Sequence, residues 1–231
     1  MNITQLSRLL QLTEFQTPTD TIRNLSADGN ITSSTAFKIM SMDYQQNNMG
    51  DKKAVKWVAN SYGVFPDEIE TFLNIYGDLG EAVFQFDGDS EDSETELENV
   101  LRFLELDCGS MTGNNYTLWE NFFMGLSALE KKWFLRYWLR TPRNGINDGI
   151  LSKVLAKKYD KKLTDVKTHL NTNSIVSVAE AYEGGNVPVT TIGHGTFIKP
   201  MLAKVMPKSK WPKSCIIDFK YDGNRSQIHK Q

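Results

Sequence analysis

Glu130-Lys131-Lys132-Trp133-Phe134-Leu135-Arg136-Tyr137-Trp138-Leu139-Arg140-Thr141-Pro142-Arg143-Asn144-Gly145-Ile146-Asn147-Asp148-Gly149-Ile150-Leu151 is the stretch on which the fold turns. Trp133, Phe134, Tyr137 and Trp138 recur at three- and four-residue spacing, which predicts an aromatic and basic helix with these rings in a core. Pro142-Arg143-Asn144-Gly145 ends it as a turn, and a second helix begins near Asp148. A turn between helices has little structural need of an arginine. Arg143 and the Gly145 amide are therefore candidate ligand groups, whereas Lys131, Lys132, Lys157 and Lys158 read as solvated helix faces or as contacts to an anionic partner.

Shifting the chain by 97 residues lays Asp51 on Asp148, Ala59 on Ala156, Tyr62 on Tyr159, Ile69 on Val166, Leu73 on Leu170 and Ala82 on Ala179. Two helix pairs of one design are implied, with a turn near Gly50 matching the one near Gly145. Backbone amides and helix N-termini at two such turns bind phosphate without reading sequence.

Working outward, Ile3, Leu6, Leu9, Leu10 and Phe15 predict a first amphipathic helix, with Pro18 as its stop. Thr19 or Asp20 caps a second helix carrying Ile22 and Leu25, ended by Gly29, and a third runs from about Ser34. Pro66-Asp67-Glu68 suits a helix N-terminus. The acidic run from Asp87 to Glu98 repels itself and predicts a solvated loop. Helical periodicity resumes at Leu97 and again from Leu118.

The chain has 231 residues and a formal net charge of -2, but residues 1–110 hold 7 basic and 19 acidic side chains, leaving 19 and 9 for the rest. That asymmetry points to a polyanion partner for the second half. The two cysteines, Cys108 and Cys215, give neither a ligand pattern nor a disulfide framework, as in a reducing compartment. His169, His194 and His229 show no metal spacing. No apolar run is long enough to span a bilayer, so no membrane role is expected.

Near the C-terminus, Ile217, Phe219 and Tyr221 alternate with Asp218, Lys220 and Asp222, which reads as a strand with its charges on one face. Lys220 is followed by Asp222-Gly223 and by Arg225. A lysine amine is a nucleophile only when unprotonated, far from its ordinary pKa of about 10.4, so it needs desolvation or nearby cations such as Arg225.

This arrangement resembles the Lys-x-Asp-Gly-x-Arg signature of the covalent nucleotidyltransferases. Upstream, Pro200-Met201-Leu202-Ala203 resembles the entry into the adenylation domain of ATP-dependent DNA ligases of the archaeal and eukaryotic replicative type. Gly77-Asp78-Leu79-Gly80 and the Arg143-Asn144-Gly145 turn resemble segments of the helical DNA-binding domain of the same family. The resemblance implies a mainly α chain: an all-helical DNA-binding domain with an internal pseudo-repeat over 1–187, then the first strands of an incomplete α+β adenylation domain over 188–231.

What the resemblance implies for function is the sealing of nicks in duplex DNA, in replication, repair and recombination, using ATP and Mg2+. Lys220 is the expected adenylated nucleophile, Arg225 a nucleotide contact, and Asp218 stands where the family has a glutamate that accepts from the adenine amino group. Arg140, Arg143, Asn144 and Gly145 are the expected DNA contacts. No metal ligand is assigned, because the family's metal-holding groups follow the lysine and would lie past Gln231; the chain is expected to be an N-terminal fragment, inactive alone. A soluble intracellular monomer of cellular or viral origin is expected.

RNA ligases and messenger-RNA capping guanylyltransferases share the lysine motif, but neither resemblance explains the repeated helices ahead of it. A DNA-binding module without catalysis is the remaining alternative. Labelling by ATP or GTP separates capping from ligation.

Overall fold

The computed structural model describes residues 1–47, 49–88, 90–106 and 114–190, and these fold into helices with one isolated antiparallel bridge, Asn2 to Glu96. The mainly α expectation holds for them. Lys220, Asp218, Arg225 and the strand around them lie outside the described residues.

α1 (Ile3–Thr13) starts at a capping box, in which the Asn2 side chain accepts from the Gln5 amide and Gln5 reaches back to the Asn2 amide. In α2 (Pro18–Leu25), Thr17 is the cap and Pro18 the first helical residue, not a stop before a cap at Thr19 or Asp20. A first helical position has no intrahelical use for an N–H, so proline opens the helix there at no cost. α3 (Ser34–Met40) follows as expected, capped by Ser33. α4 (Asp51–Tyr62), α5 (Pro66–Tyr76) and α6 (Leu79–Asp87) form the first set, α7 (Leu97–Leu104) and α8 (Asn114–Met124) the bridge, and α9 (Ala128–Trp138) the centre. α10 (Asp148–Lys158), α11 (Leu163–His169) and α12 (Ile175–Glu183) complete the described residues.

The repeat is real and larger than two pairs. α4 and α10 start 97 residues apart, as do α5 and α11, and α3 and α9 occupy the matching place ahead of them. The two copies are interlocked: α6 of the first packs on α9 of the second, and α12 of the second packs on α3 of the first. Trp57, Trp119, Phe123, Phe134 and Trp138 fill the join, with Trp57 edge-on to Trp119 at 5.1 Å between centroids and Trp119 stacked on Phe123 at 4.6 Å. Such pairs add about 0.5–1.5 kcal/mol each beyond the apolar area they bury.

α9 overturns one expectation. Lys131 and Lys132 are not a solvated face: both are buried, with Glu130 and Arg136. A helix with neighbours on every side has no solvated face, so its charges survive only by pairing. Lys132 Nζ lies 2.8 Å from Glu14 and 2.7 Å from Glu81, and Arg136 bridges Glu14 at 2.6 Å and Asp78 at 2.8 Å. Lys131 pairs with Asp87 at 2.7 Å.

The acidic run also differs from the expected free loop. Ser93 N–H donates to the buried Glu130 carboxylate at 3.2 Å, Ala128 N–H to Ser90 Oγ at 2.7 Å, and Ile3 N–H to Thr95 O at 2.8 Å. Its backbone is pinned across the starts of α1 and α9. Arg8 pairs with Asp92 on the outside.

Candidate nucleic-acid interface

The two loops that lead into α4 and α10, residues 41–50 and 139–147, are built alike. Each leaves its preceding helix through a left-handed non-glycine residue, Met42 at φ 55° and Arg140 at φ 56°. Each then closes a reach-back bond, Asp43 N–H to Lys38 O at 3.0 Å and Thr141 N–H to Arg136 O at 2.8 Å.

A buried asparagine shapes each loop. Asn47 Nδ2 donates to Leu104 O at 3.2 Å and Trp138 O at 3.1 Å while its Oδ1 accepts from Met49 N–H at 3.1 Å. Asn144 Nδ2 donates to the Tyr137 hydroxyl at 3.0 Å, and its Oδ1 accepts from Ile146 N–H at 3.1 Å. Local side-chain to backbone bonds of this kind define a turn without a regular element.

Of the four residues expected to meet DNA, two are engaged inside the protein. Asn144 is buried as described, and Arg140 donates from Nη2 to Tyr44 O at 2.6 Å, its guanidinium 5.0 Å from the Tyr44 ring centre. Tyr44 in turn donates to Tyr137 O at 2.6 Å. Arg140 thus ties the second loop to the first. Burial pushes the Tyr44 phenol well up, against the opposing charge of Arg140, so it remains a neutral donor.

The other two are exposed at the loop's crest: Arg143 at φ 51° and Gly145 at φ 69°. Arg143 Nη1 lies 3.8 Å from the point a Gly77 Cβ would occupy. Its charge reaches Asp78, whose carboxyl is raised by burial but held below its ordinary range by the Arg136 hydrogen bond, the Glu81 amide and the charges of Arg136 and Arg143. Asp78 is also the cap of α6, accepting from Glu81 N–H at 2.8 Å. Gly80 allows α6 to touch α9, since a Cβ there would stand 2.5 Å from Lys132 O. The Gly77-Asp78-Leu79-Gly80 segment is accordingly a helix-packing and charge-pairing device beside the Arg143 turn.

Two clefts repeat as well. One of about 90 Å³ is lined by Asp51, Leu73, Gly77, Leu139 and Arg143; the other, of about 400 Å³, is lined by Met42, Asp148, Leu170 and Ser174, which correspond to the first four at the 97-residue shift. The helix starts above them differ. Asn147 caps α10 through Ile150 N–H, whereas Gly50 brings α4 no side-chain cap. The part played by Asn47 and Tyr44 escaped sequence reasoning, although the same shift that aligns the helices places Asn47 on Asn144. Lys157 is exposed and Lys158 half-buried, and His169 Nδ1 lies 2.7 Å from the Tyr182 hydroxyl. Among the described residues no three His, Cys, Asp or Glu side chains gather as metal ligands, and no helix is long and apolar enough to cross a membrane.

The family model described as DNA ligase N terminus matches residues 5–156, a span containing both loops. A DNA ligase of Methanosphaera stadtmanae is 30% identical over 194 residues, covering 76% of this chain and 34% of that protein. DNA ligases of Thermococcus fumicolans and Sulfolobus acidocaldarius are 25% and 26% identical, covering 81% and 79% of this chain and 37% and 35% of their own. The chain spans about a third of the length of the curated relatives it matches. Since the match runs from the first helix to the tenth and takes in both copies of the paired loop, the chain belongs to the DNA ligase N-terminus family.

Proposed function

We propose that residues 1–187 are the duplex-binding domain of an ATP-dependent DNA ligase that seals nicks through a lysyl-AMP intermediate, residues 188–231 opening its adenylation domain. The observation that carries this reading is the matched pair of loops, 41–50 and 139–147, cross-tied through Tyr44 and Arg140, in a chain of the ligase family. Two turns fixed to each other suit the two backbones of a duplex. The start of α4 at Gly50, which carries no side-chain cap, the Gly145 amide and the Arg143 guanidinium are the phosphate ligands, and Arg140 and Asn144 hold the loops in register. None of these groups reads base identity, as an enzyme acting on any break requires.

In the proposed chemistry the unprotonated Lys220 amine attacks the α-phosphate of ATP and pyrophosphate leaves. AMP then passes to the 5′-phosphate of the nick, and the 3′-hydroxyl displaces it to close the strand. Asp218 accepts from the adenine amino group and Arg225 binds the nucleotide and favours the neutral amine. Mg2+, when bound, neutralises phosphate charge during these in-line displacements. The protein acts in this reading as a monomer inside the cell or a virus-infected cell, in replication, repair and recombination.

The test is incubation of the full-length protein with α-labelled ATP and magnesium, followed by denaturing electrophoresis. Lys220→Ala abolishes the labelled band with the helical circular dichroism unchanged. Lys220→Arg abolishes it too, because guanidinium stays protonated. A label that survives either substitution overturns the assignment.

A further inference from the structure

The two copies of the helix pair share their fold but not their outer surface. Over α10 and α11 the second copy carries Lys153, Lys157, Lys158, Lys161, Lys162 and Lys167. At the 97-residue shift the first copy has Lys56, Asn60, Ser61, Val64, Phe65 and Glu70. The packing therefore does not call for these lysines, since the same helices form with one of the six. Five of them are exposed and Lys158 is half-buried.

Their placement is unfavourable to the isolated domain. Lys153 and Lys157 stand one turn apart on α10, a like-charge spacing that destabilises a helix by a few tenths of a kcal/mol. The helix dipole favours Lys157 and Lys158 in the last turn of α10, but offers nothing to Lys153 or to Lys161 and Lys162 beyond the helix end. Among the described residues none of the six makes an ion pair, whereas Arg8, Arg23 and Lys38 elsewhere on the surface each have a carboxylate partner. Asp160 and Asp165 lie among them in sequence, and Asp160 lines the same open groove as Ile22, Lys153, Lys157 and Lys161. Lys161 Nζ lies 5.8 Å from the Tyr182 ring centre, which steadies the side chain without neutralising it.

We propose that the groove between α2 and α10, with its stripe Lys153, Lys157 and Lys161, is a second phosphate-backbone site for duplex DNA, separate from the paired loops. At about 1.5 Å rise per residue, Lys157 lies about 15 Å along α10 from the Asn147 cap, so the stripe leads away from the loops rather than widening them. The phosphates come either from the flank of the duplex held at the loops or from a second duplex. This inference rests on the proposed duplex binding by the domain but not on which loop residues carry it.

The experiment compares the 231-residue chain with Lys153→Ala/Lys157→Ala/Lys161→Ala and with a control, Arg8→Ala/Lys38→Ala/Arg102→Ala, that removes the same charge elsewhere. Binding is titrated against salt on duplexes of ~12 base pairs (about 40 Å) and ~40 base pairs (about 140 Å). The lysine triple lowers the slope of log affinity against log salt by about 2–3, while the control changes it by less than about 1. A loss confined to the long duplex at one duplex per chain identifies the flank; loss of a second bound equivalent on the short duplex identifies a second molecule. Equal slopes for the triple and the control on both lengths overturn the site. Arg143→Ala separates the two readings: a weakened Arg143→Ala with an unchanged triple leaves the loops and removes the groove, and the opposite pattern leaves the groove and removes the loops.

Discussion

Asn47 and Asn144, 97 positions apart, perform the same act in the two halves of the molecule: each buried side-chain carbonyl accepts the amide N–H two residues on, from Met49 and from Ile146, both at 3.1 Å. Their Nδ2 groups anchor the loops to opposite ends of one region, Asn47 to Trp138 O and Asn144 to the Tyr137 hydroxyl. The end of α9 is therefore the common post from which both loops hang. Disturbing either asparagine disturbs the distance between the loops.

Asn144→Ala leaves the buried Tyr137 hydroxyl without its side-chain donor and the Ile146 amide without an acceptor. The expected cost is about 1–3 kcal/mol in urea unfolding. Duplex binding weakens as well, even though Asn144 itself is buried, because Arg143 and Gly145 lose their fixed position. Normal affinity in a variant with the expected stability loss would show that the loop's shape is immaterial to binding.

Arg143→Ala leaves stability within about 0.5 kcal/mol of the parent, since the side chain is exposed. Affinity for duplexes of any sequence falls alike, and the salt slope drops by about 1. Fluorescence anisotropy on several unrelated duplexes checks this; a loss restricted to one sequence contradicts a backbone contact.

Asp78→Asn breaks a buried bidentate pair with Arg136, whose Nε and Nη2 lie 3.2 and 2.8 Å from the two carboxylate oxygens. Because Glu14 still pairs with Arg136, the cost falls below the about 3–5 kcal/mol of a buried charge left wholly uncompensated. The pair also sets an acid limb. The Asp78 and Glu81 carboxyls are raised by burial but held, on balance, below their ordinary range by hydrogen bonds and cation charge, first from Arg136 and Lys132 respectively. A folded value below the unfolded one means that the stabilisation is complete above the unfolded pKa, near about 4, and is lost as pH falls through the folded values. Urea midpoints of the parent should thus decline below about pH 4, and Asp78→Asn should flatten that decline. A variant as acid-sensitive as the parent would remove Asp78 from the account.

Gly80→Ala decides between two opposed effects. Helix propensity alone favours alanine by about 1 kcal/mol, but the new Cβ would meet Lys132 O at 2.5 Å and Arg136 Cγ at 2.8 Å. Overpacking against backbone costs about 1–3 kcal/mol, so the variant is expected to be less stable. A rise in melting temperature would show that α6 and α9 separate freely.

The sequence by itself determined the helices and their repetition. Local signals fixed α3, α5 and α10 at Ser34, Pro66 and Asp148, because capping groups, a leading proline and apolar spacing act within a few residues. The shift of 97 that matched Asp51 to Asp148 was legible because two copies of one packing problem keep the same apolar positions. Only the tertiary structure decided what the charged and polar residues do. Lys131 and Lys132 read as surface cations and are interior ones, as is Arg136, since their partners Glu14, Asp78, Glu81 and Asp87 lie 44 to 122 positions away, in parts of the chain the local pattern cannot bring together. Arg140 and Asn144 look, in sequence, like Arg143 and Gly145 beside them. A one-residue step along a turn rotates a side chain from solvent to core, and that step is set by the loop's contacts with Tyr44 and Tyr137 rather than by the residues of the loop alone.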